Sequence, residues 1–298
     1  MYLPGKEIDN KFLNDKFNLN ENWIYKRTGI KKRYWAEEKT SEIAIKAVEN
    51  LVKTNDNINL SEVGLIIVAS TSFEETMPGI SFEIQKEFNI NECMCMDISA
   101  GCSGYIDALD IAKKYLDSDE TESALIVGVE KLSKYIDKDD INTAILLGDG
   151  AGATLIKKSE NKEYAKNIES IGQDGDILTC RESEKIHMDG KKIYKFGTMK
   201  VAENIKELLE NEKLDISEIR YIIPHQSNTR IMNSMAEKIG AKKEQIYINI
   251  ENIGNTFNAS IPIALNEVIK NRLLKENDKI ILVGYGGGLN LGSILIEI

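Results

Sequence analysis

Apolar positions along the chain follow two patterns in turn. Near Glu42–Val52, over Ser81–Phe88 and from Cys102 through Tyr115 they recur at helical spacing; over Gly64–Ala69, Cys93–Ile98 and Ala124–Gly128 they run without a break. Helical periodicity alternating with short apolar runs predicts an α/β protein. Unbroken rather than alternating runs predict strands buried on both faces.

The second half of the chain repeats the first at an offset of 156, the separation of Ser61 and Ser217. Leu60-Ser61-Glu62-Val63 is echoed by Ile216-Ser217-Glu218-Ile219, and Leu65-Ile66-Ile67 by Tyr221-Ile222-Ile223. Ala108-Leu109 maps onto Ala264-Leu265, and Leu125-Ile126-Val127-Gly128 onto Ile281-Leu282-Val283-Gly284. Several matches in one register, separated by unlike sequence, point to a duplicated unit. The period is too long for a solenoid, so two similar α/β halves are expected, residues 1–158 and 159–298. Ligand sites in such units form beyond the carboxyl ends of strands, near where the halves meet.

Composition narrows the function classes. The 298 residues are 42% apolar and 29% charged, with a formal net charge of −10. Lysines are interleaved with Asp and Glu, so no nucleic-acid surface is expected. No run approaches the roughly 18 apolar residues of a membrane span, and the start lacks a secretory pattern, which predicts a cytoplasmic protein. Four cysteines are too few and too irregular for a disulfide framework. Cys93 and Cys95 share one face of a strand and are expected to act as small hydrophobes. Two histidines are a poor basis for zinc, and no metal site is expected.

Three residues carry candidate chemistry. Cys102 lies in Ser99-Ala100-Gly101-Cys102-Ser103-Gly104-Tyr105, between a strand end and a helix start. Small residues permit close approach of a ligand, and unpaired N–H groups at a helix start stabilise a thiolate, a competent nucleophile toward thioesters. His225 follows the strand Tyr221–Ile223, a ligand-facing place. The other histidine, His187, sits in a polar stretch. Asn255, in Gly254-Asn255-Thr256, occupies the second-half counterpart of the Cys102 turn, where its amide N–H is placed to donate to an oxyanion. The run Gly286-Gly287-Gly288 offers a backbone N–H for the same purpose.

The chain resembles β-ketoacyl-acyl-carrier-protein synthase III, a thiolase-fold condensing enzyme, over nearly its whole length. The resemblance rests on Trp23-Ile24 with Arg27-Thr28-Gly29-Ile30, on Ala100–Gly104, and on Gly148-Asp149-Gly150-Ala151-Gly152-Ala153. Pro224-His225-Gln226, Gly254-Asn255-Thr256 and the 286–288 glycines complete it. It implies a duplicated, layered αβαβα fold, a homodimer and no permanently bound cofactor. It implies that Cys102 takes an acyl group from acyl-CoA, with the N–H groups of Cys102 and Gly287 as oxyanion hole. His225 and Asn255 would then bind the thioester carbonyl of malonyl-acyl carrier protein as it loses CO2. Trp23, Arg27 and Arg230 resemble coenzyme contacts; Lys195, Arg230 and Lys238 resemble carrier-protein contacts. Met77 and Phe257 match the acyl pocket, Met77 reaching into the partner subunit.

The chain departs from the family pattern in several places. It opens directly on Tyr2-Leu3-Pro4, which predicts that an inner strand of the first sheet is missing, leaves backbone groups in want of partners, and points to a start upstream of Met1. Ile141 stands where an arginine would flank adenine, a loss of roughly 0.5–2 kcal/mol of cation–π stacking. Phe257-Asn258 replace small residues, and Gln173–Lys185 is shorter than usual. Thr71 stands where synthases of the hydroxymethylglutaryl-CoA type carry a catalytic Glu. Two alternatives to condensation are transfer of the acyl group to an alcohol or amine, and a degenerate partner subunit.

Overall fold

The computed structural model describes residues 1–55, 57–159, 162–181 and 185–298; part of the shortened Gln173–Lys185 segment therefore lies outside the described residues. Two four-stranded sheets carry the fold. The first runs Met94–Ile98, Leu65–Ala69, Ser123–Glu130, Gly150–Lys157; its first three strands are parallel and its last antiparallel. The second runs Ile219–Pro224, Lys279–Gly286, Asn290–Glu297, Tyr164–Ser170, with one parallel pair and two antiparallel ones.

The 156-residue offset survives as strand register. Ile66 pairs with Leu125 in the first sheet, and Ile222 with Ile281 in the second, both partners displaced by 156. The helices Gly104–Asp117 and Ser260–Lys270 also start 156 apart. These two lie between the sheets, where Ile106, Leu109, Ala264 and Leu265 pack with strand residues of both halves. Thr40–Lys53 and Ile80–Glu87 cover the outer face of the first sheet. Val201–Glu212 and Thr229–Ile239 cover that of the second. The result is the expected αβαβα layering. None of the described helices is long and apolar enough to cross a membrane.

The halves differ where the site forms. The Glu130–Gly150 pair of the first half is bridged by residues 131–149, the equivalent Gly286–Asn290 pair by residues 287–289 alone. The counterpart of Met94–Ile98 is not a strand but a short turn, Ile250–Asn252, which leads the chain into Gly254-Asn255.

The expected missing inner strand is corrected. In the second half the first strand, Tyr164–Ser170, lies at the sheet edge beside Asn290–Glu297. The equivalent place in the first half is the outer side of Gly150–Lys157. There Tyr2 exchanges two backbone hydrogen bonds with Ala151, at 2.8 and 3.0 Å. The antiparallel hairpin partner separates this place from the parallel strands, so the place is an edge, and the inner ladder is intact.

Candidate active site

Cys102 is placed by contacts from the opposite half. The N–H of Tyr105, in the first turn of Gly104–Asp117, donates to Asn258 Oδ1 at 3.1 Å. Gly286 runs against the thiol so closely that a Cβ there would lie 2.7 Å from Cys102 Sγ, which only glycine avoids. The next residue, Gly287, directs its backbone N–H at the sulfur. The thiol is buried, and burial first, then the charge of Glu130, push its pKa up, against the Gly287 hydrogen bond. Burial thus works against the thiolate that the helix start was expected to stabilise.

His225 continues the strand Ile219–Pro224, its N–H bonded to Val283 O at 2.7 Å. Gln226 fastens the turn, donating to Pro224 O and Tyr247 O and accepting from the N–H groups of Asn249 and Ile250. The imidazole meets Tyr285 and Phe257 edge-on, with centroids 5.4 and 6.3 Å apart. Burial lowers its pKa to about 3, with the Phe257 carbonyl opposing, so the ring is neutral at ordinary pH. Nδ1 lies 2.8 Å from Ser260 Oγ, itself 2.7 Å from Phe257 O.

Asn255 is clamped to the first half. Its N–H donates to Leu146 O and its carbonyl accepts from Gly148 N–H, both at 2.9 Å. Gly254 has φ +81°, and a Cβ there would lie 2.7 Å from Arg33 Cβ. Asn255 Oδ1 accepts from Phe257 N–H at 3.1 Å, which leaves the amide Nδ2 as the free donor.

Cys102, His225 and Asn255 line one cavity of about 680 Å³, with Arg27 and Arg230 also in its wall. A second cavity of about 670 Å³ opens on the Gly287 side. Trp23 lies outside both walls, beneath the Arg27 guanidinium at 5.0 Å, and shares an apolar cluster with Ile141. Lys195 and Lys238 are exposed and line neither cavity. Met77 is 80% exposed and projects away from the core. His187 is exposed, in the short strand His187–Met188. Cys93 and Cys95 are half-buried, their sulfurs 3.8 Å apart.

Three features escaped the sequence reading. One is Ser260 at the imidazole; the offset of 156 from Gly104 marks it as the start of the matching helix. Another is the buried Ser227–Tyr285 hydroxyl pair, 2.6 Å apart in the cavity wall. The third is Glu130, which accepts from Thr71 N–H and Oγ1 and from Asn258 Nδ2. Burial pushes its carboxyl up to about 7.

Comparison with known proteins supplies an independent line. The family described as 3-oxoacyl-[acyl-carrier-protein (ACP)] synthase III matches residues 96–175, and its C-terminal counterpart matches residues 209–298. A β-ketoacyl-[acyl-carrier-protein] synthase III of Clostridium botulinum is 40% identical over 99% of this chain and 95% of its own length. The Clostridium acetobutylicum protein of the same name is 36% identical over 99% and 96%. A crystal structure of 3-oxoacyl-[acyl-carrier-protein] synthase III from Aquifex aeolicus superposes with a TM-score of 0.95 at 36% identity, covering 100% of this chain and 97% of that one.

Proposed function

The chain belongs to the β-ketoacyl-acyl-carrier-protein synthase III family, and from that premise we propose how its residues divide the reaction. It is an acyltransferase that condenses an acyl group from acyl-CoA with malonyl-acyl carrier protein. The observation that carries the reading is the single cavity wall shared by Cys102, His225 and Asn255, with the Gly287 N–H aimed at the sulfur.

In the first step the Cys102 sulfur attacks the thioester carbon as its proton passes to neutral His225. The oxyanion forms against the N–H groups of Cys102 and Gly287. The tetrahedral intermediate collapses, CoA leaves as its thiol with that proton, and the acyl group stays on sulfur. In the second step malonyl-acyl carrier protein loses CO2. His225 Nε2–H and the Asn255 amide donate to its thioester oxygen and hold the enolate. The enolate carbon attacks the acyl carbon, the Cys102 C–S bond breaks with its electron pair staying on sulfur, the thiolate takes a proton from solvent to restore the thiol, and a β-ketoacyl product departs.

Both roles of His225 are open to a neutral ring with Ser260 behind it. Ser260 has one hydroxyl proton and two acceptors in reach, Phe257 O and His225 Nδ1. Pointed at Phe257 O, the hydroxyl receives Nδ1–H and leaves Nε2 a bare base, as acylation requires. Pointed at Nδ1, it leaves the proton on Nε2, as the enolate requires.

The Arg27–Trp23 pair and Arg230 are assigned to the coenzyme, and Arg230 with Lys195 and Lys238 to the acidic carrier protein. Residues 1–158 and 159–298 are taken as the two halves of a cytoplasmic enzyme. We further assign a homodimer through the free edge of Met94–Ile98, near exposed Met77, Phe82 and Met94.

Intact-mass measurement after exposure to acyl-CoAs, then malonyl carrier protein, tests the reading. The expected result is an acyl adduct on Cys102, absent in Cys102→Ala, that is discharged with release of CO2. An adduct cleared only by a small alcohol or amine would redirect the proposal to acyl transfer. No adduct with any donor would leave only a partner-subunit role.

A further inference from the structure

The two cavities share four wall residues: Cys102, Leu178, Ile186 and Phe257. They therefore flank the nucleophile from two sides, with a neck of three apolar side chains between them. Phe257 is 8% exposed and packs in one apolar cluster with Cys102 and Ile186, with Leu178 against it.

The backbone that carries the Phe257 ring is held in place. Its backbone holds φ +42°, a conformation that bulky side chains rarely adopt, and such departures cluster at functional sites. Its N–H is bonded to Asn255 Oδ1 and its carbonyl to Ser260 Oγ. The ring edge stands against His225. Turning the ring by moving the backbone would displace both residues that bind the second substrate.

On the acyl-enzyme reading above, we propose that Phe257, flanked by Leu178 and Ile186, is a collar that limits the acyl group on Cys102 to short chains. The collar makes Phe257 a specificity-determining residue, distinct from the Cys102, His225 and Asn255 set that does the chemistry. A chain longer than the neck has to displace an aromatic ring whose backbone is tied on both sides to the active site. A short chain leaves the ring in place. Removing the ring joins the two cavities and makes the space of the second available to a longer chain.

The test is the rate of Cys102 acylation, followed by intact mass, with acetyl-, butyryl-, hexanoyl- and octanoyl-CoA. In the wild type acetyl-CoA should outpace octanoyl-CoA by about 100-fold or more, since misfit in a fixed apolar site readily reaches that ratio. Phe257→Ala should bring the two within about tenfold, chiefly by accelerating octanoyl transfer. Leu178→Ala, which leaves the strained backbone untouched, should shift the ratio in the same direction and covers the case in which the first variant fails to fold. A wild type that takes octanoyl as fast as acetyl, or folded variants with an unchanged length profile, would overturn the collar while leaving the acyl-enzyme intact. No adduct from any donor would overturn the acyl-enzyme reading, and the collar with it.

Discussion

Ser260 is one hydroxyl, yet on the proposed mechanism its position behind His225 ties two steps of the reaction to different orientations of one proton. Deleting that hydroxyl leaves the Phe257 carbonyl as the backbone acceptor bearing on the imidazole, which favours Nδ1–H and a bare Nε2. Ser260→Ala should therefore retain Cys102 acylation within a few-fold and lose about 10- to 100-fold in malonyl decarboxylation. Ser260→Thr, which keeps the hydroxyl, should restore most of it. Equal loss in both steps, measured by separate mass and CO2 assays, would reduce Ser260 to a structural role. Of the three side chains proposed to react, Cys102 and Asn255 stood out in the sequence by turns with a small-residue or Gly-Asn signature, and His225 by its place at a strand end. Ser260 and the backbone duties of Phe257 did not. Their significance comes from a left-handed residue and a helix start folding back on His225, which local spacing does not express.

At the level of elements, the end of Ser123–Glu130 binds parts of both halves through one buried carboxyl group. Glu130 takes hydrogen bonds from Thr71, after the neighbouring strand, and from Asn258, before the opposite central helix. Its pKa is raised from 4.5 to about 7, burial being the largest cause. The stability associated with its protonated form is complete below pH 4.5 and is lost as pH rises through 7, amounting to about 3 kcal/mol. Asp107 and Asp149, raised to about 6, act with the same sign. His225, lowered to about 3, acts oppositely: its contribution is present above pH 6.5 and is lost as pH falls toward 3. Glu130→Gln removes one carboxyl contribution, so its Tm should fall less than that of the wild type between pH 5 and 8. Parallel Tm profiles would show that Glu130 stays ionised in the fold. Five of the strands were readable as apolar runs, whereas their pairing came from the structure. The Glu130 link was not, since a lone charged residue at a strand end reads as solvated until the partner half covers it.

For the whole molecule, the free edge of Met94–Ile98 and the exposed Phe82 and Met94 predict self-association. Light scattering should give twice the 33.5 kDa chain mass for the wild type and the single-chain mass for Phe82→Glu with Met94→Glu. A double variant that remains dimeric would place the interface elsewhere. Periodicity and the internal repeat predicted two similar α/β halves, and the layered arrangement of those halves came from the family resemblance. The place of the deficient strand was misjudged as inner, because strand order in a sheet depends on which hairpin closes beside it, and hydrophobicity alone does not report that.

The 156-residue register has one more consequence. Cys102 and Gly286 in the reaction centre map, by that offset, onto Asn258 and Glu130, two residues bonded to each other. At the counterpart of the proposed nucleophile's place, the internal twofold relation therefore sets a carboxyl–carboxamide clasp instead of a cavity. The far end of that clasp, Asn258 Oδ1, accepts from the Tyr105 N–H beside Cys102. One member of the repeated pair thus buttresses the other.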